Sequence, residues 1–305
     1  MTTILLAAPR GYCAGVERAV EAVERALDTH GPPVYVRKQI VHNLHVVRDL
    51  ESKGAIFVEE ETEVPEGAVV VLSAHGVAPT VYANATERGL TVLDATCPLV
   101  TKVHLEARRF ATQGRTIVLI GHAGHEEVVG TTGQAPDGTI LVQDIEQART
   151  VEVPDPSNLS YLTQTTLSVD ETNAIVAVLR ERFPDIQGPP REDICYATQN
   201  RQDAVKEVAR RSDVVLVIGS DNSSNSNRLA EVARELGTPA YLVDDETEVD
   251  PAWVEGAEVI GLTSGASAPE RLVERMIAWL TTLGATEVEE VRHTQEHLRF
   301  SDVRV

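Results

Sequence analysis

Short apolar runs alternate along this chain with stretches of helical period. ILLAAP (Ile4 to Pro9) has the length and composition of a buried strand. GYCAGVERAVEAVERAL follows, with Val16, Ala19, Val20, Val23, Ala26 and Leu27 at helical spacing. VYVRKQIV, VVVLSA, TIVLIG, LSYLTQ, VVLVIGS and VIGLTSGA are further strand candidates, each running into a polar loop. Strands alternating with helices predict an α/β protein with parallel sheets, whose ligands bind beyond the carboxyl ends of the strands.

The pattern is punctuated by three cysteines in one setting. DATCPLV places Cys97 between the strand-like Thr91 to Leu93 and a helix predicted to start at Pro98, since proline suits the first helical position. Apolar Val100, Val103, Ala107, Phe110 and Ala111 continue that helix. At a helix N-terminus, backbone N–H groups and the positive dipole end favour a thiolate, which is a metal ligand or a nucleophile. Cys13 precedes the helix of Val16 to Leu27, and Cys195 in DICYATQNRQDAVKEVARR precedes one marked by Val205, Val208 and Ala209.

Counting onward from each cysteine uncovers a repeat. His42, His125 and Ser223 lie 29, 28 and 28 residues on, and His75, Thr165 and Ser267 lie 62, 68 and 72 residues on. Each unit reads strand, Cys, helix, strand, polar loop, helix, strand, polar loop, helix, and such order is the mark of repeated structural units. The plainer alternative is that α/β sequences resemble one another, but agreement of all three cysteine spacings argues against it. Three similar modules with small, mostly parallel sheets are expected at 1–95, 96–193 and 194–284, with a charged tail at 285–305. IQGPPRED (Ile186 to Asp193) is the clearest linker.

Composition narrows the chemistry. The chain has 305 residues, 42% of them hydrophobic and 24% charged, as in ordinary globular proteins. A formal net charge of −20 argues against nucleic acid or an anionic membrane as the main partner. The longest apolar runs are too short to span a bilayer. MTTILLAAPRG lacks a basic leader, and three cysteines without Cys-x-x-Cys make no disulfide framework, so a cytoplasmic protein is expected.

Three thiolates could hold zinc, an iron–sulfur cluster, or nothing. Structural zinc takes four protein ligands, usually from close-spaced pairs that this chain lacks. Clusters normally take four cysteines, so three would leave one iron open, a Lewis acid and an electron source at one place. GHAGHEEV offers His125, favoured by its repeat position, and the neighbours Glu126 and Glu127, of which alternation turns one inward without saying which. His45, His104 and His122 are read as structural. GSDNSSNSNRLAEVA crowds Ser223 to Asn227 between a strand and a helix start, more polar groups than a helix cap needs, and suits an anion. Neither GxxxxGK[ST] nor GxGxxG occurs, so no P-loop or dinucleotide fold is signalled.

PRGYCAGVERAV, VHN, SAHGV, DATCPLVTKVH, GHAGHEEVVGTTGQ, TQTTLSVDET, DICYATQNRQ, GSDNSSNSNRLAE and GASAPE occur in this order from about Pro9 to Leu280. Together they resemble the motif set of the 4-hydroxy-3-methylbut-2-enyl diphosphate reductases. The resemblance implies a pseudo-threefold trefoil of three α/β modules around one [4Fe–4S] cluster, held by Cys13, Cys97 and Cys195 with one iron open to substrate. It implies an allylic diphosphate substrate bound by His42, His75, His125, Ser223, Ser224, Asn225 and Ser267. It selects Glu127 over Glu126 as the proton donor and puts Thr165 near the substrate hydroxyl, so that Glu127, Thr165 and His125 form the catalytic set. The implied reaction is reductive dehydroxylation to isopentenyl and dimethylallyl diphosphate, the last step of the non-mevalonate isoprenoid pathway, with electrons from a ferredoxin or flavodoxin. Glu126 stands where the family commonly has proline, and the tail after Ala285, ending HLRFSDVRV, departs from the family's ending.

Overall fold

The computed structural model of the chain describes residues 2–305. The chain runs β1 (Thr2–Ala8), α1 (Ala14–His30), β2 (Val34–Arg37), α2 (Leu44–Ser52), β3 (Ala55–Val58), β4 (Val69–Leu72), α3 (Pro79–Glu87), β5 (Thr91–Asp94) and α4 (Pro98–Thr112). It continues through β6 (Thr116–Ile120), α5 (Glu126–Thr132), β7 (Thr139–Val142), α6 (Ile145–Thr150), β8 (Leu159–Thr163), α7 (Val169–Arg182) and α8 (Tyr196–Ala209). The remainder is β9 (Val214–Ile218), α9 (Ser224–Glu235), β10 (Ala240–Val243), β11 (Val259–Ser264), α10 (Glu270–Thr282) and β12 (Ala285–Arg292). No helix among the described residues is long and apolar enough to cross a membrane.

The strands form three parallel sheets, in two compact units. The first unit, Met1–Glu17, Val41–Asp49 and Tyr196–Arg299, holds the sheet β10-β9-β11-β1-β12. Alternate side chains of its strands feed two cores. Leu216 and Ile218 meet Leu272, Val273 and Met276 of α10, while Val215 and Val217 meet Val205 of α8 and Leu229 and Ala233 of α9. Helices on both faces explain why β9 reads as an unbroken apolar run rather than an alternating one. Fully burying each such side chain is worth about 1.5–3 kcal/mol.

The second unit, Arg18–Ile40, Leu50–Cys195 and Phe300–Val305, holds the sheets β3-β2-β4-β5 and β7-β6-β8. The latter is built the same way: Val118 and Ile120 pack with Ile175 and Leu179 of α7, and Ile117 and Leu119 with Val103, Ala107 and Phe110 of α4.

Strand pairing adds one long-range link that the spacing does not show. The strand before Cys13, β1, belongs to the sheet of β9 and β11, not to the sheet that follows it in sequence. Likewise β5, which leads into Cys97, pairs with β4, and Gln187, ahead of Cys195, makes a parallel bridge beside β8 at Ser160. The sheets β3-β2-β4-β5 and β7-β6-β8 fall within 1–95 and 96–193, and only β1 and β12 join the strands of 194–284 from outside it.

The stretch from Ala285 also differs from the expected tail. It begins as β12, an edge strand parallel to β1. Its side chains are exposed from Thr286 to Glu290, with carboxylates at Glu287, Glu289 and Glu290, so no apolar alternation marks it in sequence. Charge on an edge strand discourages pairing with other chains.

Candidate redox and anion site

In the second unit the site grows from the loop after β6. His125 caps α5: its Nδ1 accepts the Glu127 backbone N–H at 3.2 Å. Burial lowers His125 to about 4, so the imidazole is neutral at pH 7. With Nδ1 accepting, the ring proton sits on Nε2, which is then the donor. The next turn points Glu127 inward, where it is 5% exposed. Burial pushes its carboxyl up to about 7, against the Thr165 hydrogen bonds that pull it down. Those bonds are the Thr165 N–H to Oε2 at 2.9 Å and the Thr165 hydroxyl to both carboxyl oxygens at 3.0 Å. Glu126 instead faces Arg37 and Lys38, each 3.8 Å away. Of the two neighbouring acids, Glu127 is the buried one.

Backbone bonds tie these loops to the cysteines. The Cys195 N–H donates to the Thr165 carbonyl at 3.0 Å, and the Cys97 N–H to that of Ala74, next to His75, at 2.9 Å. The His75 and His125 rings meet edge to face, centroids 6.0 Å apart. The unit thus brings together Cys97, Cys195, His75, His125, Glu127 and Thr165. Cys97 directly precedes α4, with Pro98 in its first turn.

The first unit gathers the other candidates in the same manner. The Cys13 N–H donates to the Ala266 carbonyl at 3.3 Å. The adjacent Ser267 hydroxyl donates to the His42 carbonyl at 2.8 Å, and the Ala266 N–H to Asn225 Oδ1 at 2.8 Å. Ser223 caps α9 by accepting the Ser226 N–H, and Ser224 opens that helix. Cys13, Ser223, Ser224, Asn225 and Ser267 therefore share one end of one sheet, to which the His42 backbone is tied by Ser267.

One feature of these units was not visible in sequence. Ser226, read as part of the anion loop, is wholly buried, and its hydroxyl donates to Ser223. A methyl group at Gly219 or Gly265 would overlap it, so both glycines are there to let Ser226 approach. In the second unit, His104 packs beneath Gly76, and burial lowers it to about 4, in line with a structural reading.

None of the three cysteines is in a disulfide, and all are partly exposed. No group of three His, Cys, Asp or Glu among the described residues could hold a single ion; thiolates of a cluster bind different irons and do not converge on one ion.

An acid whose burial keeps its proton close to neutrality, on a threonine whose carbonyl also accepts a cysteine N–H, suits proton donation beside a thiol ligand, an arrangement that an oxidoreductase can use. The chain belongs to the LytB protein family, which it matches over residues 4–281. It is 63% identical over 299 residues to the 4-hydroxy-3-methylbut-2-enyl diphosphate reductase of Acidothermus cellulolyticus, covering 98% of this chain and 88% of the relative. With the enzyme of that name from Xanthomonas campestris it shares 57% over 303 residues, covering 98% and 96%. The structure of the E-1-hydroxy-2-methyl-but-2-enyl-4-diphosphate reductase from Plasmodium falciparum superposes with a TM-score of 0.96 at 37% identity, over 99% of this chain and 95% of that one. A second structure, of the (E)-4-hydroxy-3-methyl-but-2-enyl diphosphate reductase described as the terminal enzyme of the non-mevalonate pathway, gives 0.64 at 30% identity, over 92% and 100%.

Proposed function

We propose that the chain is a 4-hydroxy-3-methylbut-2-enyl diphosphate reductase. It removes the allylic hydroxyl of its substrate reductively and releases isopentenyl and dimethylallyl diphosphate, the last step of the non-mevalonate pathway. The observation that carries this reading is the buried Glu127 carboxyl, raised to about 7 and bonded to Thr165, whose carbonyl accepts the Cys195 N–H.

Cys13, Cys97 and Cys195 would hold one [4Fe–4S] cluster. The donor set fits it: three soft, reduced thiol ligands, each just ahead of a helix and each anchored by its own N–H. When bound, such a cluster delivers single electrons and offers, at the iron without a cysteine, an open position for the substrate oxygen. Overall, two electrons and two protons are consumed; one proton leaves with the hydroxyl as water and the other ends on the allylic carbon.

The chain's own groups supply the rest. Glu127 holds a proton on its carboxyl up to about pH 7, and Thr165 fixes the carboxyl's orientation. His42, His75, His125, Ser223, Ser224, Asn225 and Ser267 orient the diphosphate. They are hydroxyl, amide and imidazole groups, and His125 offers Nε2–H because its Nδ1 serves the helix. Binding energy spent on the remote diphosphate places the reacting carbon. Electrons would come from a ferredoxin or flavodoxin-type donor, and the setting would be the cytoplasm, where thiols are kept reduced and able to ligate.

Anaerobic preparation with iron and sulfide counts, spectra with and without substrate, and turnover with a chemical reductant test the proposal. About four irons per chain are expected, with a spectrum that changes on adding substrate. Dehydration of the substrate with no electron source would sink the reductase reading in favour of a redox-neutral one.

A further inference from the structure

The helices after the three cysteines each carry a cation at nearly the same place. Arg18 is five residues past Cys13, Lys102 five past Cys97, and Arg201 six past Cys195. Each grips the backbone leading into a different cysteine. Arg18 Nη1 donates to the carbonyl of Thr96, the residue before Cys97, at 3.0 Å. Lys102 Nζ donates to the carbonyls of Arg191 and Glu192, just ahead of Cys195, at 2.6 and 2.7 Å, and to the Asp193 carboxylate at 3.1 Å. Arg201 donates through Nη2 and Nε to the Gly11 carbonyl at 2.7 and 3.2 Å, and through Nη2 to that of Tyr12, the residue before Cys13, at 3.4 Å. The helix after Cys13 thus serves Cys97, the helix after Cys97 serves Cys195, and the helix after Cys195 serves Cys13. The order closes on itself along the chain.

Fold stability alone does not account for Arg201, whereas Lys102 also balances the buried Asp193 carboxylate. Arg201 has no exposed surface, and a buried guanidinium is costly unless its donors are filled and its charge is balanced. Here the donors are filled by backbone oxygens, and balance comes from Glu296 at 3.0 Å, itself bonded by Asn200. An aliphatic side chain would pack more cheaply. What a cation does that an aliphatic group cannot is pin several carbonyls at once and put positive charge near groups that must be anionic to ligate. The C-terminal segment secures two of the three grips: Glu296 partners Arg201, and the Ser301 carbonyl accepts from Arg18 Nε at 2.9 Å.

We propose that Arg18, Lys102 and Arg201 are positioning residues of the three-cysteine site. Each fixes the approach to one cysteine, and retention of the cluster depends on them and on the C-terminal segment that partners two of them. The inference rests on the cluster reading above. Groups that orient first-shell ligands commonly change metal affinity or activity by about 10- to 100-fold when removed.

Lys102 is the best place to test this, because its side chain is 28% exposed and a substitution can be accommodated. Full-length native protein, K102Q and K102R are loaded anaerobically, and iron transfer to a chelator is followed by the cluster's absorbance, alongside thermal unfolding of the cluster-free chains. K102Q is expected to lose iron on the order of tenfold faster than native, with an altered spectrum of the reduced cluster, and by more than any fall in its cluster-free unfolding midpoint accounts for. K102R, which keeps charge and donors, restores retention. E296Q, which takes the counter-charge from Arg201 at a partly exposed position, gives a second reading in the same direction should K102Q fail to fold. Native-like retention in K102Q and E296Q would overturn the inference, as would iron loss that merely tracks a fall in cluster-free stability. A native chain that takes up no iron would refute the cluster reading instead, so the two failures are distinguishable.

Discussion

The loops after β6 and β9 have one architecture and two chemistries. In each, the residue that caps the next helix does so with its side chain, His125 on α5 and Ser223 on α9. Two residues on, each buries a side chain to 5% exposure, Glu127 in one and Asn225 in the other. Each of these gives an oxygen to an N–H of the neighbouring strand's loop, Glu127 to Thr165 at 2.9 Å and Asn225 to Ala266 at 2.8 Å. The carbonyl of each of those loop residues accepts the N–H of a cysteine. An oxygen at this position therefore has a structural duty in both loops. What differs is that the carboxyl can hold a proton and the amide cannot, so the acid function of Glu127 is laid over a scaffold that works without it.

The largest expected effect breaks that overlay. In Glu127→Gln the amide oxygen can still accept the Thr165 N–H, as Asn225 does for Ala266, so folding and iron content should be kept while turnover falls about 10²- to 10⁴-fold. Native turnover should fall as pH rises through about 7, where the donor ionises, and the residual rate of the variant should lack that limb. The stability sign follows as well. A carboxyl raised from 4.5 to about 7 binds its proton more tightly when folded, so its contribution is intact below about pH 4.5 and declines as pH rises through 7. Urea unfolding of the cluster-free chains should show the native protein losing stability relative to Glu127→Gln across that window. Parallel curves would mean that the carboxyl is not buried as described.

The converse exchange probes the other loop with a smaller effect. Asn225→Asp keeps the oxygen for Ala266 but gives up the Nδ2 donor to Thr198 and adds a carboxylate. If this end of the sheet binds the diphosphate, KM should rise on the order of tenfold at pH 8, equivalent to about 1.4 kcal/mol, with kcat less affected. Lowering the pH should bring KM back toward native as the new carboxyl protonates. An unchanged KM at pH 8 would remove the anion role from Asn225.

How much of this was legible in the sequence depends on which physical signal each part leaves. Strands such as VVLVI are covered by helices on both faces and announce themselves as apolar runs, and Pro98 marks a helix start that the structure keeps. The three parallel sheets followed from alternation. Spacing picked out three cysteines in one local setting, each just ahead of a helix, but could not reveal that β1 pairs with β11 and β12 from the far end of the chain. The strand β12 left no pattern because its surface is charged and exposed. Ser226 looked like one more ligand donor because its role is decided by close contact with Gly219 and with Gly265, the latter far off in sequence. Alternation alone left Glu126 and Glu127 unresolved, since a one-residue difference at a helix start depends on where the cap falls, and the cap is His125 itself.

The smallest expected effect completes the comparison between the two acids. Glu126 lies in the first turn of α5, where a negative charge gains from the helix dipole about 0.3–1 kcal/mol. Its nearest cations are 3.8 Å away and already committed: Arg37 bonds Glu61 at 2.8 Å and Glu60 at 2.5 Å, and Lys38 bonds Glu59 at 2.7 Å. Such loose, partly exposed pairs are worth no more than about 1 kcal/mol. Glu126→Gln should accordingly cost less than about 1 kcal/mol of stability. The lost charge removes only a minor pull that raises His125, whose imidazole burial already keeps neutral. Turnover and its fall above pH 7 should stay native-like in steady-state assays across the pH range. If Glu126→Gln instead lost turnover while Glu127→Gln kept it, the proton donor would be the partly exposed acid, and burial would not be what equips this loop for catalysis.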